Sequence, residues 1–161
     1  QIELQRTEGH MVVAHPGKLR WQTRPPYEQL VISDGELLWV YDMDLDQVTL
    51  RNLGRSYKNT PALLLSGDKA EIERNYRVNR IASGTQQELY ELTPLDQSQL
   101  FTQLEFTYNG DNLTEMRILD ATGQQTRIEF SNLLLNQSLD SYAFVFDVPE
   151  GADVIDARNG F

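Results

Sequence analysis

The sequence contains no cysteine. Without a thiol, the chain can hold neither a disulfide nor a cysteine-ligated zinc ion, and thiol catalysis is excluded. No apolar run approaches the roughly 18 to 20 residues that a membrane-spanning helix requires. Basic residues are few, since 14 Lys and Arg stand against 24 Asp and Glu, which gives a formal net charge of -10. This charge repels phosphate backbones and anionic head groups, so we expect neither nucleic-acid binding nor stable membrane insertion.

The length of 161 residues fits one domain with a core of its own. The first residue, Gln1, is not an initiator methionine, and no charged segment followed by an apolar one comes after it. This start indicates either a removed leader or a missing upstream segment, and we expect the second.

Short segments of alternating apolar and polar residues predict an antiparallel sheet. Turn signals separate these segments, among them Pro16-Gly17, Asp34-Gly35 and Asn109-Gly110. The predicted strands cover residues 9–13, 19–22, 28–32, 36–42, 47–50, 76–81, 88–92, 99–108, 113–119, 124–134 and 144–148.

Two short helices are predicted between the two groups of strands. Thr60 is a suitable N-cap, Pro61 suits the first helical position and Gly67 can end the helix. Asp68 can cap a second helix that continues to about Arg74. Two short helices are too few to cover the apolar face of such a sheet. The face therefore closes on itself as a barrel, or a ligand or a missing segment covers it.

Several patterns that resemble chemical sites are incomplete. Asp42, Asp44 and Asp46 have the spacing that opens a calcium loop, but the glycine and the distal glutamate of that motif are absent, so a solvated turn is expected. His10 and His15 lack the further ligands of a zinc site. No histidine-anchored nucleophile and no glycine-rich phosphate loop is present, so we expect no enzyme, no metal and no cofactor.

Four segments together carry a resemblance to a known family. They are Pro16–Trp21 (PGKLRW), Glu28–Tyr41 (EQLVISDGELLWVY), Asn59–Leu65 (NTPALLL) and Phe144–Ile155 (FVFDVPEGADVI). In order and spacing they resemble the outer-membrane lipoprotein carrier protein family (LolA), and the resemblance covers essentially the whole chain.

The resemblance implies a mainly-β fold class, an incomplete (half-open) antiparallel β-barrel with short lid helices over an apolar cavity. It also implies that residues 1–161 form a single lipoprotein-carrier domain that lacks the family's N-terminal helix and first strand. That missing segment would explain why the two predicted helices are too few.

The function that the resemblance implies is that of a monomeric periplasmic carrier. Such a protein binds the acyl chains of acylated lipoproteins and ferries them from an inner-membrane ABC-type lipoprotein release complex to an outer-membrane lipoprotein receptor. An alternative is a lipoprotein-sensing half-barrel module of an envelope-stress regulator, although such regulators usually carry a second domain. A third reading is an enzyme acting on lipids, for which the sequence offers no catalytic constellation.

Apolar residues on the predicted strands and helix are the candidates for the acyl-chain cavity and its lid. They are Trp21, Ile32, Val40, Leu63, Leu64, Leu65, Phe106, Met116, Ile118 and Phe130. For each residue alone, ordinary core packing is the alternative.

Two further roles follow from the resemblance alone. The family usually has an arginine immediately before the proline of the Pro16 turn, where it resembles a latch that donates hydrogen bonds to lid carbonyls. His15 stands there in this chain, and an imidazole offers fewer donors and changes charge near neutral pH. We therefore predict a weaker or pH-sensitive lid latch at His15, the alternative being an ordinary turn residue. Leu19 is predicted to contact the release complex, or else to be an ordinary sheet-face residue.

Overall fold

The computed structural model describes residues 5–56, 61–66, 69–84, 86–96, 101–134 and 138–159. Its strands lie in two sheets. The strands are β1 (Gly9–Ala14), β2 (Lys18–Thr23), β3 (Gln29–Asp34), β4 (Leu37–Asp42), β5 (Gln47–Asn52), β6 (Tyr76–Ser83), β7 (Gln87–Pro94), β8 (Phe101–Asn109), β9 (Asn112–Asp120), β10 (Gln125–Glu129) and β11 (Asp153–Asp156). The α-helices are α1 (Leu53–Ser56) and α2 (Lys69–Asn75), and 3-10 helices cover Pro61–Leu65 and Ser141–Phe144.

The first sheet has the strand order β1-β2-β3-β4-β5-β11. Its first five strands form an antiparallel meander, and β11 adds to β5 in parallel. The predicted Asp34-Gly35 turn is confirmed. Gly35 has φ +103°, which an L side chain rarely adopts, and Asp34 Oδ1 accepts from the Glu36 and Leu37 N–H groups at 2.9 Å each.

The second sheet has the order β10-β9-β8-β7-β6, with every pair antiparallel. Short turns join β6 to β7, β8 to β9 and β9 to β10, as expected for a meander. Gly110 has φ +62° in the β8–β9 turn, where the sequence predicted a hairpin. The Gly110 N–H donates to the Gln86 carbonyl at 2.8 Å. The end of β8 and the start of β9 therefore lie beside the connection between β6 and β7.

One predicted strand, residues 144–148, is wrong. Ser141–Phe144 is a 3-10 helix, and Asp140 caps it by accepting from the Tyr142 N–H at 2.9 Å. The residues that follow pair with no described strand, and the Phe146 ring instead packs on Trp39 and Tyr41 at centroid distances of 6.1 and 6.0 Å. The sequence reading missed β11, which lies farther along the chain.

Other boundaries differ by less. The predicted strand 124–134 ends at Glu129, and α1 was not predicted. The helix predicted from Pro61 is a 3-10 helix, and the helix predicted to end at about Arg74 is α2. Thr60, Gly67, Asp68 and Gln99, which entered these predictions, lie outside the described residues.

The predicted fold class, mainly β with an incomplete antiparallel barrel, is confirmed by two open sheets, since neither closes on itself in the strand order. The chain divides into two compact units. The first contains β1–β5, α1, β11 and both 3-10 helices, with Leu19, Leu38 and Val48 fully buried. The second contains α2 and β6–β10, with Leu104 and Met116 fully buried. That residues 1–161 form one domain stays a prediction.

Candidate functional site

The turn between β1 and β2 lies against the residue that follows the first 3-10 helix. The Ser66 carbonyl oxygen is 3.0 Å from His15 Nδ1, and it accepts from the Gly17 backbone N–H at 2.8 Å. Because a carbonyl oxygen only accepts, His15 Nδ1 carries a proton in this contact whether the ring is neutral or cationic. The structure thus brings His15 to the segment that a latch would hold, while the latch role itself stays a prediction.

Two buried serines hold the same turn in place. Ser33 Oγ donates to the Gly17 carbonyl at 2.6 Å and accepts from the Gly35 N–H at 3.3 Å. Ser66 Oγ donates to the Leu63 carbonyl at 2.9 Å. Both serines are 0% exposed, so each hydroxyl needs its partner, and the network fixes the turn relative to β3 and to the 3-10 helix.

The leucines of the Pro61–Leu65 helix are the predicted lid contacts. Leu63 is 0% exposed and Leu64 is 4% exposed, whereas Leu65 is half-buried. The helix therefore turns two leucines inward, and the hydrogen bonds to Ser66 hold it at its C-terminal end.

Two of the predicted cavity residues share one face of the first sheet. Trp21 lies opposite Val31, and Val31 lies opposite Val40. Directly opposed residues point to the same side of an antiparallel sheet, so these three define the Trp21 face. Leu19, two residues before Trp21 on β2, lies on this face and is 0% exposed. Its side chain is covered by the rest of the chain in this conformation, and the partner contact stays a prediction.

Ile32 lies on the opposite side of the first sheet, which we name the Ile32 face. It opposes Arg20 on β2 and Trp39 on β4. The C-terminal segment covers this face, because Arg20 Nη1 donates to the Ala143 carbonyl at 3.4 Å and Phe146 packs on Trp39. The structure therefore does not bring Ile32 together with Trp21 and Val40, since it is 1% exposed beneath other parts of the chain.

The second sheet brings three more predicted residues together. Phe106 on β8 lies opposite Met116 on β9, and Leu104 lies opposite Ile118. On the other side of β8, Tyr90 opposes Phe106 and Leu92 opposes Leu104. These side chains form the Phe106 face, whose centre is buried: Leu104 and Met116 are 0% exposed and Phe106 is 7% exposed.

Phe130 follows the last residue of β10. Its N–H donates to the Thr114 carbonyl at 3.0 Å, which continues the pairing with β9. Alternation with Ile128, which opposes Met116, places Phe130 on the side of the Phe106 face, and its side chain is half-buried.

The other side of the second sheet carries charges. Glu115 accepts from Arg117 Nε at 2.9 Å and from Arg127, which also pairs with Glu129. Partial burial would raise the pKa of Glu115, but the hydrogen bonds from Arg127 and Arg117 outweigh it and lower that pKa below its usual range. The second sheet therefore has one apolar side, which is buried at its centre, and one side that carries ion pairs.

The Phe106 face ends in polar groups near the β8–β9 turn. Tyr108 lies opposite Glu88, and Tyr90 Oη donates to Glu88 Oε2 at 2.6 Å. Arg80 Nη2 lies 2.5 Å from Glu88 Oε1, and the Tyr90 and Tyr108 rings meet edge to face at 5.9 Å. The hydrogen bond to Glu88, followed by burial, raises the pKa of Tyr90, and burial alone raises the pKa of Tyr108.

Farther along this face, burial raises the pKa of Tyr76 to about 12. Tyr76 is 2% exposed and lies opposite Pro94 at the other end of β6 and β7. Within the described ranges, no three His, Asp or Glu side chains are grouped so that they could hold a metal ion. None of the helices described here is both long enough and apolar enough to cross a membrane.

The sequence matches a known protein family and several of its members. The family model described as outer membrane lipoprotein carrier protein LolA matches residues 1–147. The outer-membrane lipoprotein carrier protein of Chromohalobacter salexigens is 42% identical over 152 residues, which are 94% of this chain and 72% of that protein. The chain belongs to the outer-membrane lipoprotein carrier family. Carriers of the same name from Azotobacter vinelandii and Pseudomonas aeruginosa are 42% and 40% identical, covering 95% and 94% of this chain and 73% of each relative.

Within this carrier-family chain, several polar residues at the candidate site escaped the sequence reading. Ser33 and Ser66 were missed because a serine's burial depends on contacts that are distant in sequence. Tyr108 had a signal, since it continues the alternation of Leu104 and Phe106 on β8. Glu88 had none, because a glutamate at the start of a strand is usually solvated.

Proposed function

We propose that this chain is a periplasmic carrier that shields the acyl chains of lipoproteins from water and does no chemistry on them. The observation that carries the proposal is the Phe106 face, where Leu104, Phe106, Met116 and Ile118 form a continuous apolar side of a sheet whose other side is ionic. Membership of the outer-membrane lipoprotein carrier family supports the same reading.

Burial of hydrocarbon is the driving force for binding. Each CH₂ group that leaves water contributes about 0.8 kcal/mol, so full acyl chains would bind very tightly to an open apolar surface. A carrier must also release its cargo. Because the centre of the Phe106 face is already buried, cargo has to displace existing contacts, and the cost of displacing them lowers the net affinity.

The Pro61–Leu65 helix is the proposed lid, and His15 is its proposed latch. Leu63 and Leu64 supply the apolar contacts that opening would break, and the two donors on the Ser66 carbonyl hold the end of the helix. The proposed acyl-chain residues are Trp21 and Val40 on the Trp21 face and, on the Phe106 face, Phe106, Met116, Ile118 and Phe130. Ile32 is left out because the C-terminal segment covers its face.

The proposed partners are acylated lipoproteins, an inner-membrane ABC-type release complex that supplies them and an outer-membrane receptor that accepts them. An excess of acidic residues suits a carrier that meets anionic membranes without adsorbing to them, because like charges repel. Transfer then depends on docking to these proteins rather than on contact with lipid.

Co-purification from the periplasm tests the proposal. The whole protein is isolated together with a tagged lipoprotein, in parallel with a matched lipoprotein whose acylated cysteine is replaced by serine. We expect a one-to-one complex that survives without detergent and forms with the acylated cargo alone.

Equal recovery of both cargo versions would show recognition of the protein surface and would contradict the acyl-chain mechanism. If neither version is recovered, the carrier proposal fails, and the lipoprotein-sensing module becomes the better hypothesis.

A further inference from the structure

The polar end of the Phe106 face has a composition that a plain core does not need. Tyr108 continues the apolar row of Leu104 and Phe106 on β8, yet it carries a hydroxyl group. Its side chain is half-buried, and burial raises its pKa. Among the residues that the structure describes, none forms a hydrogen bond with this hydroxyl. A half-buried hydroxyl without a protein partner can donate to water or to an acceptor that a ligand brings.

The neighbouring groups hold Tyr108 in position. Tyr90 meets its ring edge to face, and Tyr90 is itself tied to Glu88, which in turn is tied to Arg80. These four side chains share one side of the sheet, because Tyr108 opposes Glu88 and Arg80 opposes Tyr90. The hydroxyl of Tyr108 is thus preorganised at the boundary between the apolar row and the polar end.

A groove of about 550 Å³ opens at the same end of the sheet. The β6–β7 and β8–β9 turns form it, and the hydrogen bond from the Gly110 N–H to the Gln86 carbonyl joins them. Its lining consists of Gly84, Gln86, Glu88, Asn109, Gly110 and Asp111. Glu88 belongs both to the groove and to the tyrosine cluster, so the two features are continuous.

The charge of this end selects between ligands. The groove lining carries two carboxylates, Glu88 and Asp111, and no basic side chain, while Arg80 pairs with Glu88. Together these three groups carry one net negative charge. Such a site disfavours a phosphate group, since like charges within a few ångströms repel. It accommodates neutral ester and amide groups, whose carbonyl oxygens can accept from a tyrosine hydroxyl.

We propose that Tyr108 and the adjoining groove form a subsite for the uncharged acyl–glyceryl ester linkage of an acylated cysteine, and that Glu88 and Asp111 reject the phosphate of a phospholipid that carries the same linkage. This inference rests on the proposed carrier function. The acyl chains lie along the Phe106 face, the ester carbonyl accepts from Tyr108, and the peptide leaves through the groove. A carrier that works among excess phospholipid gains its selectivity at this boundary.

The test compares three ligands on the whole protein. An apolar fluorescent probe reports on the apolar surface, and it is displaced either by a diacylglyceryl-cysteine peptide with a neutral amidated end or by phosphatidylglycerol with identical acyl chains. Tyr108→Phe removes one hydroxyl and keeps the ring. We expect it to weaken lipopeptide binding about 3- to 10-fold, the value of one neutral hydrogen bond, and to leave probe binding unchanged.

Asp111→Asn tests the rejection of phosphate separately. We expect it to improve competition by phosphatidylglycerol several-fold, by more than it changes lipopeptide binding, with the effect shrinking at high salt. Tyr142→Phe is the matched control for Tyr108→Phe, because Tyr142 is 76% exposed and forms no side-chain hydrogen bond with any described residue.

The outcomes separate this subsite from the carrier function. If the wild-type protein binds neither probe nor lipopeptide, the carrier proposal itself fails. If it binds both but Tyr108→Phe changes neither, or weakens both equally, the ester subsite is wrong and Tyr108 is only part of the wall. An unchanged phosphatidylglycerol competition in Asp111→Asn removes the rejection of phosphate.

Discussion

The Ser66 carbonyl oxygen accepts from two donors that are two residues apart, the Gly17 N–H and His15 Nδ1. The Gly17 N–H is available whatever residue precedes Pro16. His15 therefore adds a second hydrogen bond to a carbonyl that already has one. The resemblance pointed to His15, but the sequence could not indicate Ser33, whose hydroxyl donates to the Gly17 carbonyl on a neighbouring turn. Nor could it indicate Ser66, whose burial depends on the folded chain although its hydroxyl donates to the nearby Leu63 carbonyl. Hydrogen-bond partners of buried hydroxyls become visible only once the chain is folded.

Replacement of His15 should loosen the lid without unfolding the protein. In His15→Ala the Ser66 carbonyl loses one of its two donors, and a neutral hydrogen bond is worth about 0.5–1.5 kcal/mol. We expect an apolar fluorescent probe to enter the proposed cavity of His15→Ala about 2- to 10-fold faster than that of the wild type in stopped-flow mixing. Because arginine has more donors, the probe should enter His15→Arg no faster than the wild type.

His10→Ala is the matched control, since His10 is exposed and its side chain makes no hydrogen bond to any residue described in the structure. An equal effect of both alanine variants would rule out the latch.

At the scale of elements, local signals predicted hairpins well and non-local pairing poorly. The Asp34-Gly35 and Asn109-Gly110 turns were found because their residues specify the backbone directly. The segment 144–148 has the alternation of a strand, but it does not pair with an edge of the first sheet. Its Phe146 ring packs instead on Trp39 and Tyr41, over the Ile32 face. The parallel pairing of β11 with β5 joins residues about a hundred positions apart, and no local pattern encodes it.

The two sides of the second sheet should respond differently to truncation. Leu104→Ala removes a fully buried side chain on the Phe106 face and should cost about 2–5 kcal/mol in the free energy of unfolding. Leu119→Ala, on the ionic side of β9 and 37% exposed, should cost less than about 1 kcal/mol. Urea denaturation followed by circular dichroism measures both values, and equal losses would contradict the assignment of the faces.

For the whole molecule, acid has two opposing effects on stability. Protonation of exposed carboxylates relieves the self-repulsion of a chain with net charge -10, which favours the folded state. Carboxylates whose pKa is lowered by folding act the other way. Their contribution is complete above the unfolded pKa of about 4 and disappears as the pH falls through the folded pKa.

Glu115 and Asp156 belong to this second group. The Arg158 side chain, aided by its backbone N–H, lowers the pKa of Asp156 to about 2, and Arg127 and Arg117 lower that of Glu115. We therefore expect unfolding midpoints in urea to fall between pH 4 and pH 2. Arg127→Gln should flatten this fall, because it removes a cause of the lowered pKa of Glu115.

Arg24→Gln provides the comparison, since Arg24 is 67% exposed and lies 3.7 Å from Glu8 in a surface ion pair. An identical acid response of both variants would show that the Glu115 cluster does not contribute to the pH dependence of stability.

The parallel strand β11 also has a consequence for biosynthesis. The first sheet is assembled from both ends of the chain, with the whole second sheet encoded between β5 and β11. A ribosome delivers β11 after every other strand described here, so the earlier strands wait with an unpaired edge and an uncovered Ile32 face until residues 139–157 arrive. A proteolytic cut between β10 and β11 would therefore separate the last described strand from the sheet that was begun first.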